Sequence, residues 1–320
     1  MNTQSTSKVF SVNGMKGSEE PGSTAGAICD PGGLHRQLAH WNHRRLAPAC
    51  PHKDWASELS DNARMLWLEG VWIEGFREEV APIAAQAPSD VEGFLAWFEG
   101  LKENGPGQND PLFLWLAREA THQEMDWFLT QEAAGEAGFD DLVALSQVKA
   151  PTEAKLELAR NYWDEMGRGN EGGMHGLMLD AVVRTLGLVP TIDSTIWESL
   201  ALANTLTAFA TTRRYAWHAI GALGVVELTA PDRVTAIAAG LKRLGHPPVV
   251  RKYFELHANL DVKHSEAWNT NVLRPLVAER PERARFLAEG ALIRLICGAR
   301  CFEAYRSHLW GSPARRIAAQ

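Results

Sequence analysis

The chain has 320 residues, 45% of them apolar and 22% charged, which suits one large soluble domain or two small ones. A formal charge of −7 argues against nucleic acid or anionic lipid as the main partner. No apolar run approaches the ~20 residues of a membrane helix, and the polar stretch Met1–Gly22 lacks a signal-peptide core, so a cytoplasmic protein is expected.

Residues 1–30 are rich in Ser, Gly, Thr and Asn and are predicted to be a disordered N-terminal segment. Residues 31–310 read as a single helical domain and 311–320 as a C-terminal tail. His35, His40, His43 and His52, scattered among Arg and Pro, read as surface residues. From Leu34 onward the residues are helix formers punctuated by caps. Ser89-Asp90-Val91-Glu92 and Thr195-Ile196-Trp197-Glu198 have the spacing of capping boxes. Asn109-Asp110-Pro111 places a cap before a proline at the first helical position, and Thr229-Ala230-Pro231 is predicted to open another helix. Breaks fall at 104–108, 136–138, 167–173, 187–190 and 245–248. No period-2 strand stands out, so about ten helices and no sheet are expected. Nine of the twelve tryptophans, among them Trp67, Trp163 and Trp268, are spread along these helices and read as core anchors. The four cysteines fit neither a disulfide framework nor a zinc ribbon; Cys297 and Cys301, four apart on one helix face, are expected to be reduced and packed.

Gly167-Arg168-Gly169-Asn170-Glu171-Gly172 matches the dinucleotide pattern G-x-G-x-x-G. That motif needs a strand before it, so that a helix N-terminus can face a pyrophosphate. Here a helical segment ending in Asp164-Glu165 precedes it, and the dinucleotide reading is rejected. The segment His257-Ala258-Asn259-Leu260-Asp261-Val262-Lys263-His264 is more informative. At ~100° per residue, His257, Asp261 and His264 fall near 0°, 40° and −20°, one stripe about 60° wide. Two imidazoles and a carboxylate are costly to bury unless paired or metal-bound, and together they suit iron or manganese. From spacing alone, metal ligation and a solvated polar face both stand. Glu165 ends one helix and His175 begins the next, and the glycines between allow both to aim inward. Glu227 lies in the apolar run Ile220–Leu228, where an unpaired carboxylate would be penalised; the competing reading is a helix-end glutamate reaching solvent before Pro231. Leu223 and Gly224, beside Glu227, would leave room for a small substrate. Three carboxylates and three imidazoles make a balanced set for two Fe(II).

These residues resemble the haem-oxygenase-like non-haem di-iron oxidases and oxygenases. The resemblance rests on Glu165 followed by His175 after a glycine-containing turn, on Glu227, and on His257-x3-Asp261-x2-His264, with thirty residues between Glu227 and His257. The motifs run from about 161 to 268 and the bundle would cover 55–306. The resemblance implies an all-α, haem-oxygenase-like helical bundle. It implies Glu165, His175, Glu227, His257, Asp261 and His264 as ligands to two Fe(II), with Mn also accommodated, and O2 as co-substrate. The substrate would be a small organic acid or amino acid undergoing desaturation, C–C cleavage, hydroxylation or N-oxygenation. An external electron donor and a homodimer are compatible with it, and neither nucleic acid nor membrane is an expected partner. Some members add a seventh carboxylate, for which the region 119–136 offers Glu119, Glu124, Asp126, Glu132 and Glu136 without a unique choice. Glu119-x-x-His122 has no second copy in the chain, which disfavours a ferritin-like bundle; His122 reads as a satisfied histidine or a cavity residue. Arg213 and Arg214 offer a bidentate grip on a substrate carboxylate, with an exposed helix start as the competing reading. Two further classes stay open: a metal-independent enzyme on the same fold, thiaminase-like or quinone-biosynthesis-like, and a non-catalytic helical binding protein. Three ligands on one short segment also predict weak metal retention and local unwinding around 250–270 without metal.

Overall fold

A computed structural model describes residues 30–51, 54–135 and 138–311. The expected disordered segment and C-terminal tail, with Cys29, His52 and Glu136, lie almost wholly outside these residues. Thirteen α-helices follow one another, with no strand among the described residues. The first seven are α1 (Pro31–Leu46), α2 (Trp55–Ala84), α3 (Val91–Asn104), α4 (Pro111–Arg118), α5 (His122–Gly135), α6 (Phe139–Ser146) and α7 (Thr152–Glu165). The rest are α8 (His175–Leu186), α9 (Trp197–Thr211), α10 (Ala216–Arg243), α11 (Pro248–Trp268), α12 (Arg274–Glu279) and α13 (Arg283–Trp310). No described helix is long and apolar enough to cross a membrane.

The caps are set by side chains that satisfy the first free amides. Asp90, not Ser89, caps α3 by accepting from the Gly93 amide, and Asp110 caps α4 ahead of Pro111. Thr195 turns back to the Thr191 carbonyl instead of capping α9. Thr229-Ala230-Pro231 opens no helix: Pro231 sits inside α10, and the Thr229 hydroxyl donates to the Val225 carbonyl of its own helix.

α10 is the central element and packs on α11, α13 and α4. It meets α13 backbone to backbone: a Cβ on Gly221 would collide with the Leu287 carbonyl oxygen, and one on Gly290 with that of His218. α11 runs unbroken from Pro248 to Trp268, and a π-helical turn, Asn269–Leu273, joins it to α12. Such turns inside helices are frequent at functional sites. Trp268 is fully buried, whereas Trp67 and Trp163 lie about half exposed, so helical spacing alone overstated the tryptophan core. His35 is a second correction. It is completely buried, enclosed by the rings of Trp72 and Trp197 and touched by the Asn204 side chain. Cys297 and Cys301 are buried free thiols.

Candidate metal centre

α7 delivers Glu165 at its last turn, and a glycine loop returns the chain to His175 at the start of α8. Met166 and Met174 pair across the base of that loop. Gly167, at φ +61°, approaches Gly173 so closely that a Cβ would collide with its backbone, which is why glycine is required there. The rejected dinucleotide pattern is therefore a structural hairpin of two 3-10 turns behind a helix. Its effect is to bring His175 Nδ1 to 2.6 Å from Glu165 Oε2.

α11 supplies the next donors from the stripe read in the sequence. The His257 ring lies edge-on to that of His175, centroids 4.5 Å apart. His257 Nδ1–H donates to the Tyr253 carbonyl at 2.7 Å, which leaves Nε2 as the lone-pair nitrogen. Ligand atoms of Glu165, His175 and His257 all lie within 4.8 Å of one another, as do those of Glu165, Glu227 and His264. Glu165 is common to both groups. Glu227 is only 2% exposed, and its Oε2 stands 3.5 Å from His264 Nδ1, so the solvent-reaching alternative is not what the fold adopts. Asp261 is buried beside them and feels the charges of Glu227, His264 and Glu165, but belongs to neither triad.

Two further side chains hold these donors in place. Asn161, one helical turn before Glu165, donates to Glu227 Oε1 at 2.7 Å and lies 3.1 Å from His264 Nδ1. Asp164 Oδ2 accepts from His264 Nε2–H at 3.1 Å, directing Nδ1 toward Glu227. Carboxylates behind ligating imidazoles commonly fix ring orientation in this way. Asn161 was legible in principle as the i−4 neighbour of Glu165, but nothing in its residue type marks it.

The electrostatics fit a cation. Burial pushes the carboxyl of Glu165 up, and burial with the neighbouring Glu227 pushes Asp261 to about 9. Burial and His175 hold His257 down to about 4. Burial also opposes charge on His264, but hydrogen bonding and attraction to Glu227 outweigh it and carry the ring up to about 9. No Lys or Arg stands within ion-pair distance of Glu165 or Glu227 among the described residues. His175 Nδ1 is buried and makes no properly directed hydrogen bond despite its close carboxylate. A buried imidazole nitrogen and a carboxylate oxygen brought together without a directed hydrogen bond are an arrangement that a shared cation satisfies.

A cavity of about 170 Å³ opens onto Glu165, Glu227, His257 and Asp261, with mostly apolar walls. Gly224 does not contribute room for a substrate: Trp268 fills that space, 2.5 Å from where a Cβ would be. Arg213 instead donates to the carbonyls of Leu145 and Val148, and Arg214 to Glu74, both at the surface. His122 lies exposed at 3.2 Å from His246 and does not line the cavity. His218 is buried against Glu289. The charged residues that do line the cavity, and that the sequence did not single out as charges facing it, are Glu132, Arg233 and Arg294.

The family model for iron-containing redox enzymes matches residues 126–299, a span that includes all six predicted ligands. Two crystal structures of a CADD-like protein of unknown function from Nostoc punctiforme are similar in structure to this chain. They are 16% and 17% identical, cover 74% and 75% of this chain and 98% and 97% of their own, and give TM-scores of 0.49 and 0.48. No curated protein matches the chain.

Proposed function

The chain belongs to the iron-containing redox enzyme family, and on that premise we propose that it is a non-haem di-iron oxidase or oxygenase that turns O2 on a small organic molecule. The observation that carries this reading is the sharing of buried Glu165 between two triads, one with His175 and His257 and the other with Glu227 and His264. In this reading Glu165, His175, Glu227, His257, Asp261 and His264 would hold two Fe(II), or Mn in their place, as a set of three carboxylates and three imidazoles. The bound metals supply the redox chemistry of O2.

The protein's own contribution is geometric and electrostatic. The Tyr253 carbonyl fixes the His257 tautomer, Asp164 fixes that of His264, and Asn161 steadies Glu227. Three ionised carboxylates against two Fe(II) leave one positive charge, which favours an anionic oxidant or substrate. The apolar walls exclude bulk water, so that charge is weakly screened.

Anaerobic Fe(II) titration tests the proposal. About two equivalents are expected for the wild type, with O2-dependent oxidation of the bound iron. His264→Ala should lose one equivalent while far-UV helicity stays near wild type. A wild type that takes up no iron, or a His264→Ala variant that still takes up two equivalents, contradicts it.

A further inference from the structure

Two guanidiniums in the cavity lack partners. Arg233 stands on α10 three residues after Ala230 and seven after Val226, and all three line the cavity from one stripe of the helix. Arg294 comes from α13, and its Nη1 lies over Gly298, 2.7 Å from where a Cβ would be, so the missing side chain lets the guanidinium rest against the cavity wall. Among the described residues neither arginine donates a hydrogen bond or reaches a carboxylate within 4.0 Å. The Phe302 ring lies 5.7 Å from the Arg233 guanidinium, which also feels the charges of Arg294, Glu132, Asp232 and Asp261 at longer range. The Nε of Arg294 is fully buried with no acceptor.

Other half-buried arginines of this protein are satisfied: Arg45 by Glu69 and Arg77 by Glu289. An unpaired buried cation is costly, and a buried donor without an acceptor adds to that cost. Nearby, Glu132 already accepts from the Tyr305 hydroxyl at 2.9 Å, and Tyr305 Oη is 2.8 Å from the Ser199 hydroxyl. Glu132 offsets one of the two guanidinium charges, so the pair keeps one positive charge and several free N–H donors; Glu165, Glu227 and Asp261, which line the same cavity, are the carboxylates assigned to the iron centre.

We propose that Arg233 and Arg294 bind the carboxylate of the cavity's ligand, an apolar-bodied monocarboxylate whose body packs against Phe113, Leu129, Val182, Phe254 and Phe302. This rests on the cavity's being the substrate chamber of the iron centre. The carboxylate completes the charge balance, and the planar guanidiniums suit its two oxygens. A primary amide carries no charge and offers one acceptor oxygen where the carboxylate offers two, so it pairs fewer of these donors and is discriminated against.

The experiment is isothermal titration, after anaerobic Fe(II) loading, of the full chain with hexanoate, 3-phenylpropionate and the two matching primary amides. At least one acid should bind tenfold or more tightly than its amide. Arg233→Gln and Arg294→Gln should each abolish that preference by weakening acid binding far more than amide binding. Gly298→Ala, which displaces the Arg294 head without removing charge, should weaken acid binding and serves if a glutamine variant fails to fold. Equal affinity for acid and amide, no binding of either acid, or a preference that survives both arginine substitutions overturns the assignment. Iron uptake is measured on the same samples. Two equivalents of iron without a carboxylate preference leaves the metal centre standing and removes this site, whereas a preference without iron uptake does the reverse.

Discussion

Asp164→Asn probes the support behind one half of the centre without touching a donor. Asp164 Oδ2 accepts from His264 Nε2–H at 3.1 Å and its other oxygen accepts from Arg168 at 2.5 Å, with the side chain 18% exposed. A hydrogen bond to a charged group contributes about 1.5–3 kcal/mol, and one between neutral groups roughly half as much. Asparagine keeps an acceptor oxygen and loses the charge, so it should cost ~1–1.5 kcal/mol of ligand orientation, about tenfold in metal affinity. Asp164→Ala removes the acceptor and should approach the ~100-fold upper end for groups that support metal ligands. The assay is anaerobic Fe(II) titration against a competing chelator, with far-UV circular dichroism as the folding control. Only the equivalent held by Glu227 and His264 should weaken, in the order wild type, Asn, Ala. The one held by His175 and His257 should stay within about threefold of wild type, because its imidazole is fixed by the Tyr253 carbonyl. Equal weakening of both equivalents, or of neither, would refute the positioning role of Asp164.

Gly221→Ala drives a Cβ into the Leu287 carbonyl at the crossing of α10 and α13. Backbone yields less readily than a side chain, so the loss should reach the upper end for overpacking, about 3 kcal/mol, or roughly 5–10 °C in Tm. Gly70→Ala in α2, where a Cβ meets nothing within 4 Å, should instead stabilise by ~0.5–1 kcal/mol in the same thermal melts. A third expectation concerns acid. Burial raises the Glu289 carboxyl, but hydrogen bonds from His218 and Arg77, with Arg285 adding to them, outweigh it and hold the group at about 2 against an ordinary 4.5. A folded value below the unfolded one means stability that is present above pH 4.5 and lost as pH falls toward 2. Denaturant melts of the wild type and Glu289→Gln should therefore converge over that window, and a gap independent of pH would show that the charge is not what the cluster uses.

Much of the architecture was legible because its signals are local. Long runs of Ala, Leu and Glu fix the helical class, and the stripe of His257, Asp261 and His264 follows from helical geometry alone. The apolar run around Glu227 left burial and a solvent-reaching helix end both open, and the fold adopts burial. What was misread depended on neighbours distant in sequence. His35 carries no mark of burial until Trp72 and Trp197 close on it. Thr195 and Thr229 have cap spacing, yet each finds a nearer carbonyl to which its hydroxyl donates. Arg213 and Arg214 stand out as a pair, while Arg233 and Arg294 are isolated in the sequence and meet only when α10 and α13 pack.

The turn containing Glu227 carries two unfavourable features. Pro231 stands four residues after Glu227 and has no N–H, so the Glu227 carbonyl loses its helical partner, at a cost of about 3 kcal/mol for a proline in a helix interior. The Thr229 and Thr235 hydroxyls bond to the Val225 and Pro231 carbonyls, attaching side-chain donors to the helix on either side of that gap. In the same turn a buried carboxylate is bonded by Asn161 and approached by His264 and Glu165, with no arginine or lysine within ion-pair distance among the described residues. A helix selected only for packing gains from neither feature, and an alanine at 231 with a leucine at 227 would serve it better. Departures from the rules of a stable helix tend to gather where a site requires them. Here both fall in the one turn of α10 that faces His264 of α11. That coincidence supports the proposed reading of Glu227 as a donor to a cation over that of a polar residue tolerated in a core.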